Sequence, residues 1–326
     1  MRDPILRIED LHIEFRTSRG VIHALQGVTF DVMPGEIFGV VGETGCGKTI
    51  TGLSVLRLLP RSARITQGNI RFEGVDLLKI SQREMRSIRG GKISIIFQDP
   101  STSMNPLFTI GFQMNKVIRE HLKFSREKAR ERALTMLAAT GLPDVERIYD
   151  SYPHQLSGGM LQRAMIALAL SCEHSLLIAD EPTTALDVTI QSQILQLMRE
   201  LQQKLGVAMI LITHNLGVVA NMCDRLVVLY AGRVVEIGES RSIFENPQHP
   251  YTRGLMSAIP APGSRGNRLS AIPGNVPIDP GALKGCVFAP RCAFVMPRCL
   301  KESPVMFHLS KDHASTCFLA ERGDLF

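Results

Sequence analysis

The chain has 326 residues, 44% of them hydrophobic and 21% charged, enough for one large core or two moderate ones and a composition that excludes a disordered protein. Its formal net charge is +6, but Lys and Arg are scattered and tryptophan is absent, so no basic block with stacking aromatics argues for nucleic acid. A mild preference for an anionic membrane surface is equally compatible. No stretch approaches the roughly 18 to 20 apolar residues of a membrane span, and Met1-Arg2-Asp3-Pro4 does not open a leader, so the expectation is a soluble or peripheral cytoplasmic protein.

Strand-like segments cover Ile5 to Phe15, Val21 to Val32 and Glu36 to Val41, broken at Ser18-Arg19-Gly20 and at Pro34-Gly35. The apolar run Ile37-Phe38-Gly39-Val40-Val41 suits a strand of a parallel sheet buried on both faces. It leads into Gly42-Glu43-Thr44-Gly45-Cys46-Gly47-Lys48-Thr49, which matches G-x-x-x-x-G-K-[ST]. In that pattern backbone N–H groups face nucleotide phosphates, Lys48 neutralises the outer phosphates and the Thr49 hydroxyl takes a site on Mg²⁺. A helix is expected from there to about Leu59, stopped by Pro60, with the positive end of its dipole towards the phosphates.

From Asp99 to about Gln155 the sequence turns charged and helix-forming, interrupted by Pro106, Gly111 and Gly141-Leu142-Pro143; this reads as a small helical subdomain inserted into an α/β core. Leu176-Leu177-Ile178-Ala179-Asp180-Glu181 is a buried strand ending in two carboxylates, Asp180 suited to the metal and Glu181 to orienting water as general base. A helix follows from about Val188, with Ile194, Leu197, Met198, Leu201 and Leu205 on one face and Gly206 as C-cap. Val207 to Ile212 is a further buried strand, and strand, helix and strand in this order give a right-handed βαβ unit. Beyond a boundary near residue 240, the Pro- and Gly-rich stretch between Pro260 and Pro280 reads as a linker or an extended, anchored segment.

Seven cysteines in a cytoplasmic protein argue against a disulfide framework. Cys172 and Cys223 lie beside apolar runs as small core residues. Cys286, Cys292, Cys299 and Cys317 instead crowd near the C-terminus with the spacing C-x5-C-x6-C-x17-C. Four thiolates could coordinate a cluster or a tetrahedral zinc, and the spacing matches neither ferredoxins nor a zinc ribbon, so the metal stays open. His308 and His313 lie between the last two cysteines as possible substitute ligands.

Leu156-Ser157-Gly158-Gly159-Met160, placed between the phosphate loop and Asp180-Glu181, resembles the signature of the ATP-binding-cassette ATPases, and the resemblance covers residues 5 to 240. It implies a P-loop NTPase core with an antiparallel β subdomain, an inserted helical subdomain at about 99–170, ATP and Mg²⁺ as cofactors, and residues 1–240 as the nucleotide-binding domain. Ser157, Gly158 and Gly159 then meet the γ-phosphate from an opposing subunit; Met160 stands where glutamine is commoner. The same resemblance makes Gln98 a contact of Mg²⁺ and the attacking water, and His214 the switch histidine. It makes Ala185-Leu186-Asp187 the loop crossing the dimer interface, and Phe15 the aromatic on adenine.

Gln248-His249-Pro250-Tyr251-Thr252-Arg253-Gly254-Leu255, Ala258-Ile259-Pro260 and Gly285-Cys286-Val287-Phe288-Ala289-Pro290-Arg291-Cys292 resemble the C-terminal extension (241–326 here) of ATPase subunits from oligopeptide, dipeptide and nickel importers. That resemblance favours a 4Fe-4S cluster over zinc on the four cysteines. It implies an ATPase on the cytoplasmic face of the inner membrane, paired with a homologous ATPase subunit and two permeases fed by a solute-binding protein, and importing peptides, nickel or another small solute. A soluble cassette ATPase or an Fe–S redox regulator are the rival readings; the former would carry tandem cassettes or a coiled-coil insertion, and neither is present.

Overall fold

A computed structural model describes residues 3–18, 20–184, 186–258, 272–277, 281 and 284–322. Arg19 of the first turn, Ala185, Ile259-Pro260 and most of the Pro/Gly-rich stretch lie outside the described residues. The chain divides into two compact units, one of residues 1–5, 33–35 and 79–210, the other of residues 6–32, 36–78 and 211–326.

In the second unit β1 (Leu6–Thr17) pairs antiparallel with β2 (Gly20–Val32). The fully buried β3 (Ile37–Val41) runs into the phosphate loop, which opens α1 (Lys48–Val55). This helix is shorter than expected. Arg57 turns left-handed at φ 51, the Leu58 N–H reaches back to the Leu53 carbonyl, and the Arg57 guanidinium is engaged by the Leu77 carbonyl, so the chain leaves the helix before Pro60. β4 (Ala63–Phe72) and β5 (Val75–Asp76) complete an antiparallel sheet of order β2-β1-β4-β5.

The other unit begins with α2 (Gln82–Ile88), closed at its N-terminus by a reciprocal Ser81–Glu84 capping box. β6 (Ile93–Ile96) leads to α3 (Pro100–Ser103), α4 (Ile110–Leu122), α5 (Arg126–Ala139), α6 (Val145–Asp150) and α7 (Gly158–Ala169). Thr109 and Ser125 cap α4 and α5, and Ala129, Ala133, Met136 and Leu137 form the buried stripe of α5. Gly111 does not break this region. It sits inside α4, where a Cβ would stand 2.5 Å from the Tyr149 ring. β7 (Leu176–Asp180) is buried throughout and parallel to β6. α8 (Val188–Leu205) ends at Gly206, left-handed at φ 67 as its C-cap role requires. Ile194, Leu197, Met198 and Leu201 are buried as the spacing predicts, whereas Leu205, in the last turn, is exposed. β8 (Ala208–Thr213), also fully buried, carries the chain onward.

Back in the second unit, α9 (Leu216–Met222) precedes β9 (Arg225–Tyr230), which lies parallel to β3, and β10 (Arg233–Glu239) returns antiparallel to β9. α10 (Ser240–Glu245) and α11 (Pro250–Ser257) follow. The chain near the C-terminus contributes strands that sequence periodicity did not reveal: β11 (Phe307–Ser310) and β12 (His313–Ser315), before α12 (Phe318–Arg322). β12 pairs antiparallel with β10, so the order β11-β12-β10-β9-β3 links the C-terminal residues to the strand that feeds the phosphate loop. Cys172 and Cys223 are buried core thiols. Among the described residues no helix is long and apolar enough to cross a membrane.

Candidate active site

The phosphate loop has its shape because its glycines allow it. Gly42 stands at φ 150, and a Cβ there would lie 2.2 Å from the Leu229 carbonyl; Gly45 and Gly47 are left-handed at φ 84 and 105. Gly47 is the N-cap of α1, so the first N–H groups of that helix open onto the loop. Lys48 is 5% exposed and its Nζ donates to the carbonyls of Gly42 (2.7 Å) and Glu43 (3.0 Å), which sets the ammonium inside the loop's curve. Cys46 is fully buried, and burial pushes its thiol pKa up. Thr44, Gly45 and Thr49 face outward. Of the other expected residues in this unit, Phe15 is half-buried towards the end of β1, and His214 is exposed just after β8, followed by Asn215, which caps α9.

The loop is also held from outside. The backbone N–H of Glu43 donates to Tyr251 Oη at 2.8 Å, and its carboxylate receives a two-pronged ion pair from Arg291, Nη1 to Oε2 at 2.7 Å and Nη2 to Oε1 at 3.0 Å. Arg291 is 4% exposed, and hydrogen bonding to Glu43 raises its pKa further above the ordinary arginine range. Tyr251 and Arg291 were legible only as parts of the extension's motifs; nothing in their spacing points at residue 43.

In the other unit Ser157 caps α7, its hydroxyl accepting from the Met160 N–H at 3.4 Å, while Ser157 and Gly158 stay exposed. Asp180 closes β7 at 5% exposure. Glu181 follows at φ 47, a left-handed conformation that strains a non-glycine residue, and its carboxylate accepts from Thr184 Oγ1 at 2.9 Å. The buried Gln162 pins this turn by donating to the Pro182 carbonyl at 2.6 Å. Gln98 is exposed between β6 and α3. Asp187 caps α8, accepting from the Ile190 N–H at 3.0 Å.

Cys286, Cys292, Cys299 and Cys317 line one small cavity, with Phe288, Phe294, Met296 and Phe318 among its otherwise largely apolar walls. Burial pushes the thiols of Cys286 and Cys292 up, and that of Cys317 up to about 11. Among the described residues, however, no three His, Cys, Asp or Glu side chains stand close enough to hold a metal ion. The donor chemistry suits a thiolate-bound centre, and the side chains as placed do not show one. Neither histidine substitutes as a ligand here: His308 is exposed, and His313 is engaged by Glu236.

Residues 25–184 match the ABC transporter family and residues 235–299 the oligopeptide/dipeptide transporter C-terminal region. A probable peptide ABC transporter ATP-binding protein of Sinorhizobium fredii is 48% identical over 97% of this chain and 95% of its own length. Dipeptide transport ATP-binding proteins of Bacillus subtilis and Escherichia coli are 47% and 42% identical, covering 98% and 96% of this chain and 96% of their own lengths. Among solved structures, a dimeric ATP-binding cassette in a post-hydrolysis state with ADP and Pi aligns at a TM-score of 0.65 and 27% identity, covering 72% of this chain and 99% of that one. The protein cbiO1 of Clostridium perfringens, part of the ABC transporter complex cbiONQ, aligns at a TM-score of 0.64 and 30% identity, covering 75% of this chain and 92% of that one. A glycine-shaped phosphate loop, a strand-end Asp-Glu pair, a serine-capped signature helix and full-length relatives agree: the chain is an ATPase subunit belonging to the ABC transporter family, in the branch that carries the oligopeptide/dipeptide C-terminal region.

Proposed function

We propose that this ATPase drives the import of dipeptides or oligopeptides through partner permeases on the cytoplasmic face of the inner membrane. The observation that carries the reading is that relatives named for peptide and dipeptide transport resemble this chain over nearly their whole length, extension included. Peptide uptake in a strain lacking this gene tests it: restoration by the wild-type chain is expected, and restored nickel uptake with unchanged peptide uptake would move the assignment to a metal importer.

In this reading residues 1–240 form the nucleotide-binding domain and 241–326 the extension. Gly42 to Thr49 cradle ATP, Phe15 faces adenine, and Thr49, Gln98 and Asp180 hold Mg²⁺. Glu181 is the general base and His214 contacts the γ-phosphate. The strained φ of Glu181 supports its role, since strain of this kind is kept where the surrounding structure holds a group for chemistry. Ser157, Gly158, Gly159 and Met160, with Asp187, face the nucleotide of a second, homologous ATPase subunit. Among the described residues a Cβ on Gly158 would meet nothing nearer than Leu186 Cδ2 at 3.9 Å, so no packing there demands glycine; close approach of a partner's phosphate does. Two permeases and a solute-binding protein complete the assembly, with no nucleic acid. The four cysteines hold a 4Fe-4S cluster, with zinc as the alternative, supported by four thiols on one cavity whose walls offer few other donors.

A further inference from the structure

Glu43 lies at a variable position of the phosphate-loop pattern, yet the C-terminal extension grips it twice. Tyr251 holds its backbone N–H and Arg291 its carboxylate, across 208 and 248 residues of chain respectively. All five N–H donors of Arg291 are used: Nε on the Pro273 carbonyl (2.8 Å), Nη1 on Glu43 and Tyr230 Oη (3.4 Å), and Nη2 on Glu43 and the Ile272 carbonyl (3.3 Å). A guanidinium so fixed cannot follow a moving loop, so the loop must conform to it. The Lys48 ammonium in turn hangs on the carbonyls of Gly42 and Glu43, so the position of residue 43 sets the position of the phosphate-binding lysine. Arg291 also immediately precedes Cys292, inside the short helical turn Ala289–Arg291.

We propose that Arg291 and Tyr251 are positioning residues for nucleotide binding, a brace by which the extension presets the phosphate loop and by which the state of the four-cysteine module reaches ATP affinity. The first part rests on the ATP-binding reading of Gly42 to Thr49 and not on which metal, if any, the cysteines hold. Metal-free protein that still binds ATP therefore counts only against the metal, whereas wild-type protein that fails to bind ATP counts against the site itself.

The test is a double-mutant cycle on the purified full-length chain, reading the Kd for ATP with Mg²⁺. Arg291→Met and Glu43→Gln should each weaken binding roughly tenfold, within the range typical of coupled sites, and the double variant should be no weaker than the worse single one. Tyr251→Phe removes one hydroxyl with minimal risk to folding and should weaken binding several-fold on its own. In the assembled transporter KM for ATP should rise with kcat at saturation nearly unchanged. Additive losses in the cycle, or unchanged ATP affinity in Tyr251→Phe and Arg291→Met proteins that remain folded by circular dichroism, would overturn the brace. Cys292→Ser should weaken ATP binding in the wild-type background and not in Glu43→Gln; equal weakening in both, or none in either, overturns the link to the cysteine module.

Discussion

Glu236 of β10 and His313 of β12 meet at 2.7 Å, Nε2 to carboxylate, with the glutamate fully buried and the histidine 8% exposed. The same carboxylate accepts from the backbone N–H groups of Gln248 (2.7 Å) and His249 (3.0 Å), just before α11. One buried charge therefore ties the strand β12 and the entry to Tyr251 to a cassette strand. Glu236→Gln keeps the shape but turns one acceptor into a donor facing groups that already donate. The expected loss is about 2 kcal/mol or more of unfolding free energy, the scale of hydrogen bonds to a charged group, read by urea denaturation. An unchanged midpoint and slope would show that the carboxylate is not carrying these contacts.

His174 is buried, with Nε2 donating to the Gly90 carbonyl at 3.0 Å. Burial, aided by the nearby His121 and Arg132, lowers its pKa to about 4. A folded-state value below the unfolded one means that its stabilising contribution is complete above about pH 6.5 and is lost as the pH falls from there towards 4. The difference in stability between wild type and His174→Gln should shrink by up to roughly 3 kcal/mol across that window. A difference independent of pH would mean that the imidazole is not held neutral.

Glu181→Gln removes the proposed base but keeps the shape, so ATP binding should persist while turnover in the assembled transporter falls by roughly 10² to 10⁴. The variant should accumulate as an ATP-bound closed dimer. Turnover at the wild-type rate would remove Glu181 from the chemistry.

Ser157→Arg places a bulky cation at the exposed N-cap of α7, where the proposed second subunit's phosphate approaches. Nucleotide binding by the isolated chain should survive and the ATPase of the dimer should fail. ATP hydrolysis by isolated wild-type chains at a rate independent of protein concentration would refute a site shared between subunits.

Purified without oxygen, the protein should be brown and carry about four irons per chain, and Ser in place of Cys286, Cys292, Cys299 or Cys317 should remove the colour. Because the four thiols share a cavity that His249 and Phe288 also line, loss of the metal should loosen the extension and lower the melting temperature. One zinc and no iron by elemental analysis would replace the cluster, and no metal at all would leave four free thiols.

What the sequence determined by itself is what local chemistry determines. The glycines of Gly42 to Thr49, the Gly206 end of α8, and the apolar runs of β3, β7 and β8 depend on residues a few positions apart, where spacing carries the signal. Tertiary structure decided the rest. α1 stops at Val55 because Arg57 finds the Leu77 carbonyl, and Gly111 is a space for the Tyr149 ring rather than a break. β12 is three residues long and gains its place from pairing with β10. Arg291 reaches Glu43 because a buried guanidinium must find acceptors for all its donors, and the fold brings that carboxylate to it across 248 residues of chain, as it brings Tyr251 Oη to the Glu43 N–H across 208.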